Sequence, residues 1–441
     1  MQHNLSEGSV TRSMLLFAYP MILGNLLQQF YNIADTLIVG RFLGSDALAA
    51  VGASFALMTF LTSIILGLCM GSGVAFSMLF GAGWTDELKN HIFISFLLTG
   101  TVSVFIEALA LIFIHPILHF LRIPGDLMFQ TRSYLEIIFC GILFTFLYNF
   151  FATLSRSIGN SLIPLIFLAL STALNIILDL LLILVFPMGV SGAALATICS
   201  QGISALLMIL YCVRKIPLLR LHKEHLYINR SALFRITQYS FLTCLQQSVM
   251  NFGILMIQGL VNSFGVTVMA AFAAAVKIDA FAYMPVQDFG NAFSTFIAQN
   301  HGAGKKERIR LGIRSAVLVS ISFSLLISVV VYTFARELML LFVKTDETEI
   351  ISIGVQYLRI EGACYCGIGC LFLLYGLFRG LGNPGVSVIL TIISLGTRVL
   401  LAYLLAPIPS IGLPGIWWSI PIGWFLADLC GILFYFRAKK G

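Results

Sequence analysis

The stretch YNIADTLIVG (31–40) places a carboxylate, Asp35, in a run from Met14 to Val39 that carries no other charge. A charged Asp near the middle of a membrane helix costs about 2.5–3.5 kcal/mol on insertion scales. A structural partner or a function must offset that cost. The same run holds Asn25, Gln28, Gln29 and Asn32. Steps of three and four align Asn25, Gln28, Asn32 and Asp35 on one helical stripe. In lipid such a stripe has to face protein or water, so Gln28 and Asn32 are expected to line a cavity. The plainer alternative is interhelical hydrogen bonding that holds the bundle together.

A second polar site lies in STALNIILDLLLILVF (171–186), where Asn175 and Asp179 stand four apart and share a face. Asp35 falls five residues before Gly40 and Asp179 seven before Phe186, each at the outer end of its helix. At 1.5 Å rise per residue both carboxylates lie about 8–10 Å below the outer surface. Equal depth makes contact possible, and two chemistries follow. Neighbouring carboxyls in low dielectric do not both ionise cheaply, so one binds a proton reversibly. Alternatively, their oxygens and the Asn175 amide ligate a small hard cation such as Na⁺. A static pair sharing one proton is the bland reading.

The second half of the chain carries a different set. Arg398 lies mid-span and needs an anion. Glu361 sits at similar depth and is the first expectation for a structural pair, with Asp279 and Asp288 as other candidates. Glu107 and Asp428 stand alone and receive no role. The four tryptophans, Trp84, Trp417, Trp418 and Trp424, read mainly as interface anchors. CYCGIGC (364–370) lacks a nearby His and reads as small apolar filler rather than a metal site.

The elements that must position these residues are membrane helices. The 441 residues are 59% hydrophobic and 10% charged, against about 25% charged in soluble chains. Apolar runs near the length of a spanning helix recur throughout, without the alternation of a membrane barrel. Cutting at charged and Gly/Pro-rich breaks gives twelve spans: 14–39, 46–80, 91–120, 131–155, 162–186, 189–213, 233–260, 266–300, 311–342, 351–378, 385–407 and 411–436. The N-terminus offers no cleavable signal, and the nine cysteines lie in or beside spans, which disfavours a disulfide framework.

The halves repeat. At an offset of 223, Tyr134, Arg156, Gly159, Asn160, Gly189 and Gly192 match Tyr357, Arg379, Gly382, Asn383, Gly412 and Gly415, while GAG at 81–83 matches GAG at 302–304 at 221. Ordered matches with a drifting offset indicate duplication. On the same offset Asn175 falls on Arg398 and Asp179 on Ala402. The domains expected are an N-lobe (1–213), a cytoplasmic linker (214–232) and a C-lobe (233–441). With both termini inside, eighteen basic residues fall on the cytoplasmic side and five on the outer side, namely Arg41, Arg122, Arg132, Arg336 and Lys344. The net charge of +7 is mostly this asymmetry, so nucleic-acid binding is not expected. Six spans per half put the two lobes in the same orientation, related by a pseudo-two-fold axis along the membrane normal.

Residues 19–54, LNIILD (174–179), RSIGN (156–160) and FIAQNHGAGK (296–305) together resemble the multidrug and toxic compound extrusion (MATE) transporters, in their DinF-like prokaryotic branch. The resemblance covers essentially the whole chain. It implies an all-α fold of two six-helix lobes forming a V, with the drug path between or within them. It implies a cation site of Asp35, Asn175, Asp179 and, on the sixth span, Thr197, and a helix bend at Pro20. Some relatives carry acids in the seventh span and after the tenth. Here the seventh span has no acid and Asn383 replaces the other, so no C-lobe ion site is expected. The implied activity is antiport, in a prokaryotic plasma membrane, of amphipathic cationic compounds against H⁺ or Na⁺, by a monomer without a cofactor. A flippase for lipid-linked saccharides is the alternative, disfavoured because mid-membrane cations are few (Lys277, Arg359 and Arg398). An intramembrane enzyme needs a paired nucleophile and base or a metal cluster, and neither pattern is present.

Overall fold

In lipid, each backbone N–H and C=O has to be satisfied within its own segment, so each long apolar run closes into a helix. A computed structural model describes residues 4–120, 123–219 and 222–440. Arg122 and Arg220, which entered the charge asymmetry, lie outside the described residues. The helices are α1 Val10–Leu43, α2 Ser45–Ala82, α3 Thr85–Ile112, α4 Ile114–Phe120, α5 Gly125–Cys140, α6 Ile142–Ser157, α7 Leu162–Leu180, α8 Gly189–Lys215, α9 Arg230–Asn262, α10 Val266–Gly302, α11 Lys306–Thr333, α12 Ala335–Leu340, α13 Thr348–Gly362, α14 Tyr365–Gly380, α15 Pro384–Leu405 and α16 Leu413–Lys440. There is no strand among the described residues.

Among the described residues ten helices are long and apolar enough to cross a membrane, and two further pairs, α5–α6 and α13–α14, pass the same test when each is taken as one bent span. That yields the twelve spans, with four of them interrupted. The α5–α6 bend is 42° and the α13–α14 bend is 52°. The spans expected at 91–120 and 311–342 break at Phe113 and Phe334, where α4 and α12 continue as short helices. A π turn, Leu181–Val185, extends α7.

The breaks obey the repeat. Phe113 and Phe334 are related by the offset of 221, and Gly141 and Cys364 by 223. Left-handed glycines pair in the same way: Gly44 (φ 88°) with Gly265 (100°), Gly83 (73°) with Gly304 (68°), Gly159 (87°) with Gly382 (84°), and Gly189 (60°) with Gly412 (54°). A positive φ ends a right-handed helix and strains any residue with a Cβ. At Gly83 of the GAG turn the chain takes a left-handed cap, with its N–H on the Phe80 carbonyl at 3.1 Å. Duplication has thus kept the stops as well as the apolar runs.

The chain divides into two compact units that exchange their lead-ins. The first comprises Tyr19–Cys244, and the second Leu5–Ala18 with Leu245–Gly441. The division therefore falls within α9, rather than at the 214–232 segment, and a second crossing falls within α1. In the second unit the lead-in to α1 is held by the FIAQNHGAGK turn. Gln299 Oε1 accepts from the Leu5 N–H at 3.1 Å, and Lys305 Nζ donates to the Ser6 carbonyl at 2.8 Å. In the first unit the lead-in to α9 is docked by α3. Asn90 Nδ2 donates to the carbonyls of His225 (3.0 Å) and Tyr227 (2.8 Å), and His225 Nε2 lies 3.2 Å from Asp86. Segment 214–232 is thus a packed part of this unit. Gly71 in α2 allows the start of α9 to approach, since a Cβ there would collide with the Tyr239–Ser240 backbone.

Each unit has its own apolar core. Trp417 corrects a sequence expectation: it is fully buried, stacked on Phe272 at 5.5 Å and edge-on to Tyr357 at 5.0 Å. Trp424 is also buried, whereas Trp84 and Trp418 are exposed, as an interface role requires. The repeat-matched α16 needs a large core residue more than a membrane anchor at 417.

Candidate cation site

In the first unit, α7 and α8 bring three of the expected residues together. Asn175 and Asp179 are one turn apart on α7 and fully buried; Thr197 on α8 is 5% exposed. Gly192 lets α8 come close to the π turn after α7, where a Cβ would meet the Leu182 carbonyl oxygen at 3.2 Å. The hydrogen-bond network orients the Asn175 amide so that its nitrogen donates to Asp179 Oδ2 at 2.9 Å and its oxygen accepts from the Thr197 N–H at 3.3 Å. α1 supplies Asp35, half-buried, whose carboxyl lies within hydrogen-bonding reach of Asp179. The depth match inferred from helix rise is therefore a contact.

Sequence reasoning missed two members. Tyr31 lies one turn before Asp35, and its hydroxyl is 3.2 Å from Thr197 Oγ1. Its position on the Asp35 stripe was the available signal. Tyr134 on α5 is buried within electrostatic reach of Asp35, Asp179 and Tyr31. Its signal was the repeat match to Tyr357. Asp35 Oδ1 and Asp179 Oδ1 have no hydrogen-bond partner, and neither acid has a basic group at ion-pair distance among the described residues. Two facing carboxyls with free oxygens and no counter-cation form an acceptor-rich site for a proton or a small cation.

The other expected residues of α1 stand apart from this set. Gln28 and Asn32 are half-buried and bond to each other along the helix, Nε2 to Oδ1 at 3.5 Å. Pro20 lies inside α1, which continues through it as helix; the change of unit comes between Ala18 and Tyr19. Pro20 offers no N–H to the carbonyl one turn before it, which weakens the helix at that point.

The second unit holds a separate cluster. Asp279 on α10 and Glu361 on α13 are buried with their carboxyls within hydrogen-bonding reach of each other. Tyr357 donates from its hydroxyl to Asp279 Oδ2 at 3.4 Å. Arg398 on α15 is within electrostatic reach of both acids, yet no ion pair to either forms among the described residues. The immediate neighbour of Glu361 is thus Asp279 rather than the expected Arg398. Helix periodicity fixes depth and face, but it does not say which neighbouring helix that face meets.

Comparison with known proteins bears on both units. The MatE family model matches residues 20–181 and again 240–404, one stretch in each half of the repeat. The chain is 32% identical to the probable multidrug resistance protein YpnP of Bacillus subtilis, covering 99% of this chain and 96% of that protein. It is 25% identical to the multidrug export protein MepA of Staphylococcus saprophyticus, covering 98% and 95%. Among solved structures, a crystal structure of MATE in complex with MaL6 superposes with a TM-score of 0.92 at 23% identity, covering 99% of this chain and 98% of that one. An outward-facing multidrug resistance MATE transporter of the MOP superfamily gives 0.92 at 23% identity, with 99% and 97% covered. The duplicated family match, the relatives along the full length and the shared twelve-span fold lead to one assignment: this chain is a multi-pass membrane protein that belongs to the MatE transporter family.

Proposed function

We propose that the protein is a secondary active antiporter that exports amphipathic organic cations in exchange for protons bound at Asp35 and Asp179; relatives along its full length are named multidrug resistance and multidrug export proteins. The observation that carries this reading is the facing pair of carboxyls with unpartnered oxygens and no basic neighbour. Asn175 and Thr197 orient Asp179, and Tyr31 ties α1 to α8 through Thr197. Cation and substrate would favour opposite-facing states, and each shifts the equilibrium only by its differential affinity. One uncompensated charge moving down about 100 mV supplies about 2.3 kcal/mol, or about fiftyfold accumulation. The reading needs no cofactor and works in a monomer. Against a flippase, Lys277 and Arg359 are exposed and do not join Arg398 in a basic cluster.

The test is purified protein in liposomes, with pH and Na⁺ gradients imposed separately and ethidium as the exported cation. Asp35→Asn is nearly isosteric but cannot cycle a proton. Gradient-driven export is expected to vanish while the variant stays folded and still binds ethidium. Wild-type export by Asp35→Asn would leave Asp35 as structural glue, and export driven by Na⁺ at zero pH gradient would replace the proton by Na⁺.

The basic asymmetry supports cytoplasmic termini, in a prokaryotic plasma membrane. Lys223 is exposed in the loop before α9. Lys223→Cys, with the exposed Cys140 and Cys199 replaced, is expected to resist an impermeant thiol reagent in intact cells and to react after lysis. Labelling from outside would invert the topology.

A further inference from the structure

The buried cluster of the second unit is unused by the mechanism above, and its charges do not balance. Asp279, Glu361 and Tyr365 are 5%, 1% and 3% exposed. Asp279 Oδ1 and Glu361 Oε1 accept no hydrogen bond, and the Tyr365 hydroxyl lies within hydrogen-bonding reach of the Asp279 carboxyl. The ionisable groups in reach are Asp279 and Tyr283 from α10, Tyr357 and Glu361 from α13, Cys364 after it, Tyr365 from α14 and Arg398 from α15. Packed against Tyr357 from α16 is the indole of Trp417, which is uncharged.

With both acids ionised and Arg398 protonated, the cluster carries one uncompensated negative charge. A net charge held inside a membrane is expensive, so the set is completed by one monovalent positive charge. The two carboxyls lie within hydrogen-bonding reach of each other. Two carboxylates have no hydrogen between them to share, whereas one carboxyl and one carboxylate do. A metal ion would instead need a shell of oxygens around it, with the carboxylates as separate ligands.

We propose that Asp279 and Glu361 form a second proton-binding site that holds one shared proton, with Arg398 as its fixed counter-charge. The step is a protonation alone: one carboxylate takes H⁺ from water and becomes a carboxyl, and release returns it. Arg398 sets the number of protons, because it already balances one acid without being tied to either. The site stands whether or not Asp35 couples transport.

The experiment is infrared spectroscopy of the purified full chain in the Asp35→Asn, Asp179→Asn background, which removes the acid pair of the first unit. The readout is the stretch of buried, protonated carboxyls at neutral pH. Glu361→Gln and Asp279→Asn, added singly, are each expected to remove the component assigned to this cluster. Arg398→Gln leaves two acids to be balanced and is expected to raise that component about twofold. Arg398→Lys keeps the charge and is expected to leave it unchanged, which separates charge from packing if Arg398→Gln folds poorly. A band indifferent to Glu361→Gln and Asp279→Asn overturns the site, as does one that Arg398→Gln leaves unaltered. Loss of the band on adding sodium chloride at constant pH would give the site to Na⁺ instead.

Discussion

The two units build their acid pairs on a common repeat with different internal charge. Tyr134 and Tyr357 occupy equivalent positions, and each lies beside its unit's two carboxyls. The acids themselves come from non-equivalent helices: α1 and α7 in the first unit, α10 and α13 in the second. At the position of Asn175 the second unit has Arg398. Asn175 can donate to Asp179 but brings no charge, whereas Arg398 brings a charge without a close ion pair. Duplication therefore preserved the frame and left the charge count free to diverge. A site with no internal cation must draw its balance from outside, which suits an exchanger. A site with one internal cation is nearly self-sufficient.

The largest effect is expected from carrying the second unit's solution into the first. Asn175→Arg puts a guanidinium beside Asp179 and Asp35, where it balances one carboxylate permanently. The exchange cycle then carries one positive charge fewer. At about 100 mV the steady-state ethidium ratio across liposomes is expected to fall about fiftyfold, the equivalent of one charge. Asn175→Gln, which lengthens the side chain without charging it, is the control for packing. An accumulation ratio that survives Asn175→Arg would show that charge at this position does not distinguish the units.

Much of the first site was legible because its residues follow helical steps. Asn175 and Asp179 share a face at a spacing of four, and the depth of Asp35 needed only the rise per residue. Tyr31 was equally legible, since it stands one turn before Asp35 and its hydroxyl belongs to the same polar stripe. The second site was hidden for a different reason. Asp279 and Glu361 lie in separate spans with no repeat counterpart that carries an acid, so nothing linear joins them. Their meeting depends on how α10 packs against α13. Likewise, hydropathy located all twelve spans but not the breaks at Phe113, Gly141, Phe334 and Cys364. Apolar side chains continue through these points, and hydropathy registers transfer to lipid rather than backbone direction. The repeat could have found them, because each break has its partner at the offset already read from glycines and charges.

The smallest effect tests whether the shared tyrosine does the same work in both units. Tyr357 donates to Asp279 at 3.4 Å, a long bond, inside an aromatic wall made by Phe272 and Trp417. Tyr357→Phe keeps that wall and removes the hydroxyl, leaving an acidic oxygen without its donor. The expected cost is about 1 kcal/mol, within the usual range for one hydrogen bond. Tyr134 sits near Asp35 and Asp179, where Asn175 already serves as a donor to Asp179. Tyr134→Phe is expected to cost less, a few tenths of a kcal/mol by the same reckoning. Thermal unfolding of both variants in one detergent measures the difference. No loss in either variant would mean that the tyrosines act only through their rings, as common packing elements of the repeat, and equal losses would mean that the two hydroxyls do the same work. A larger loss at Tyr134 would place the greater unmet demand for donors in the first unit and reverse the contrast between the two sites.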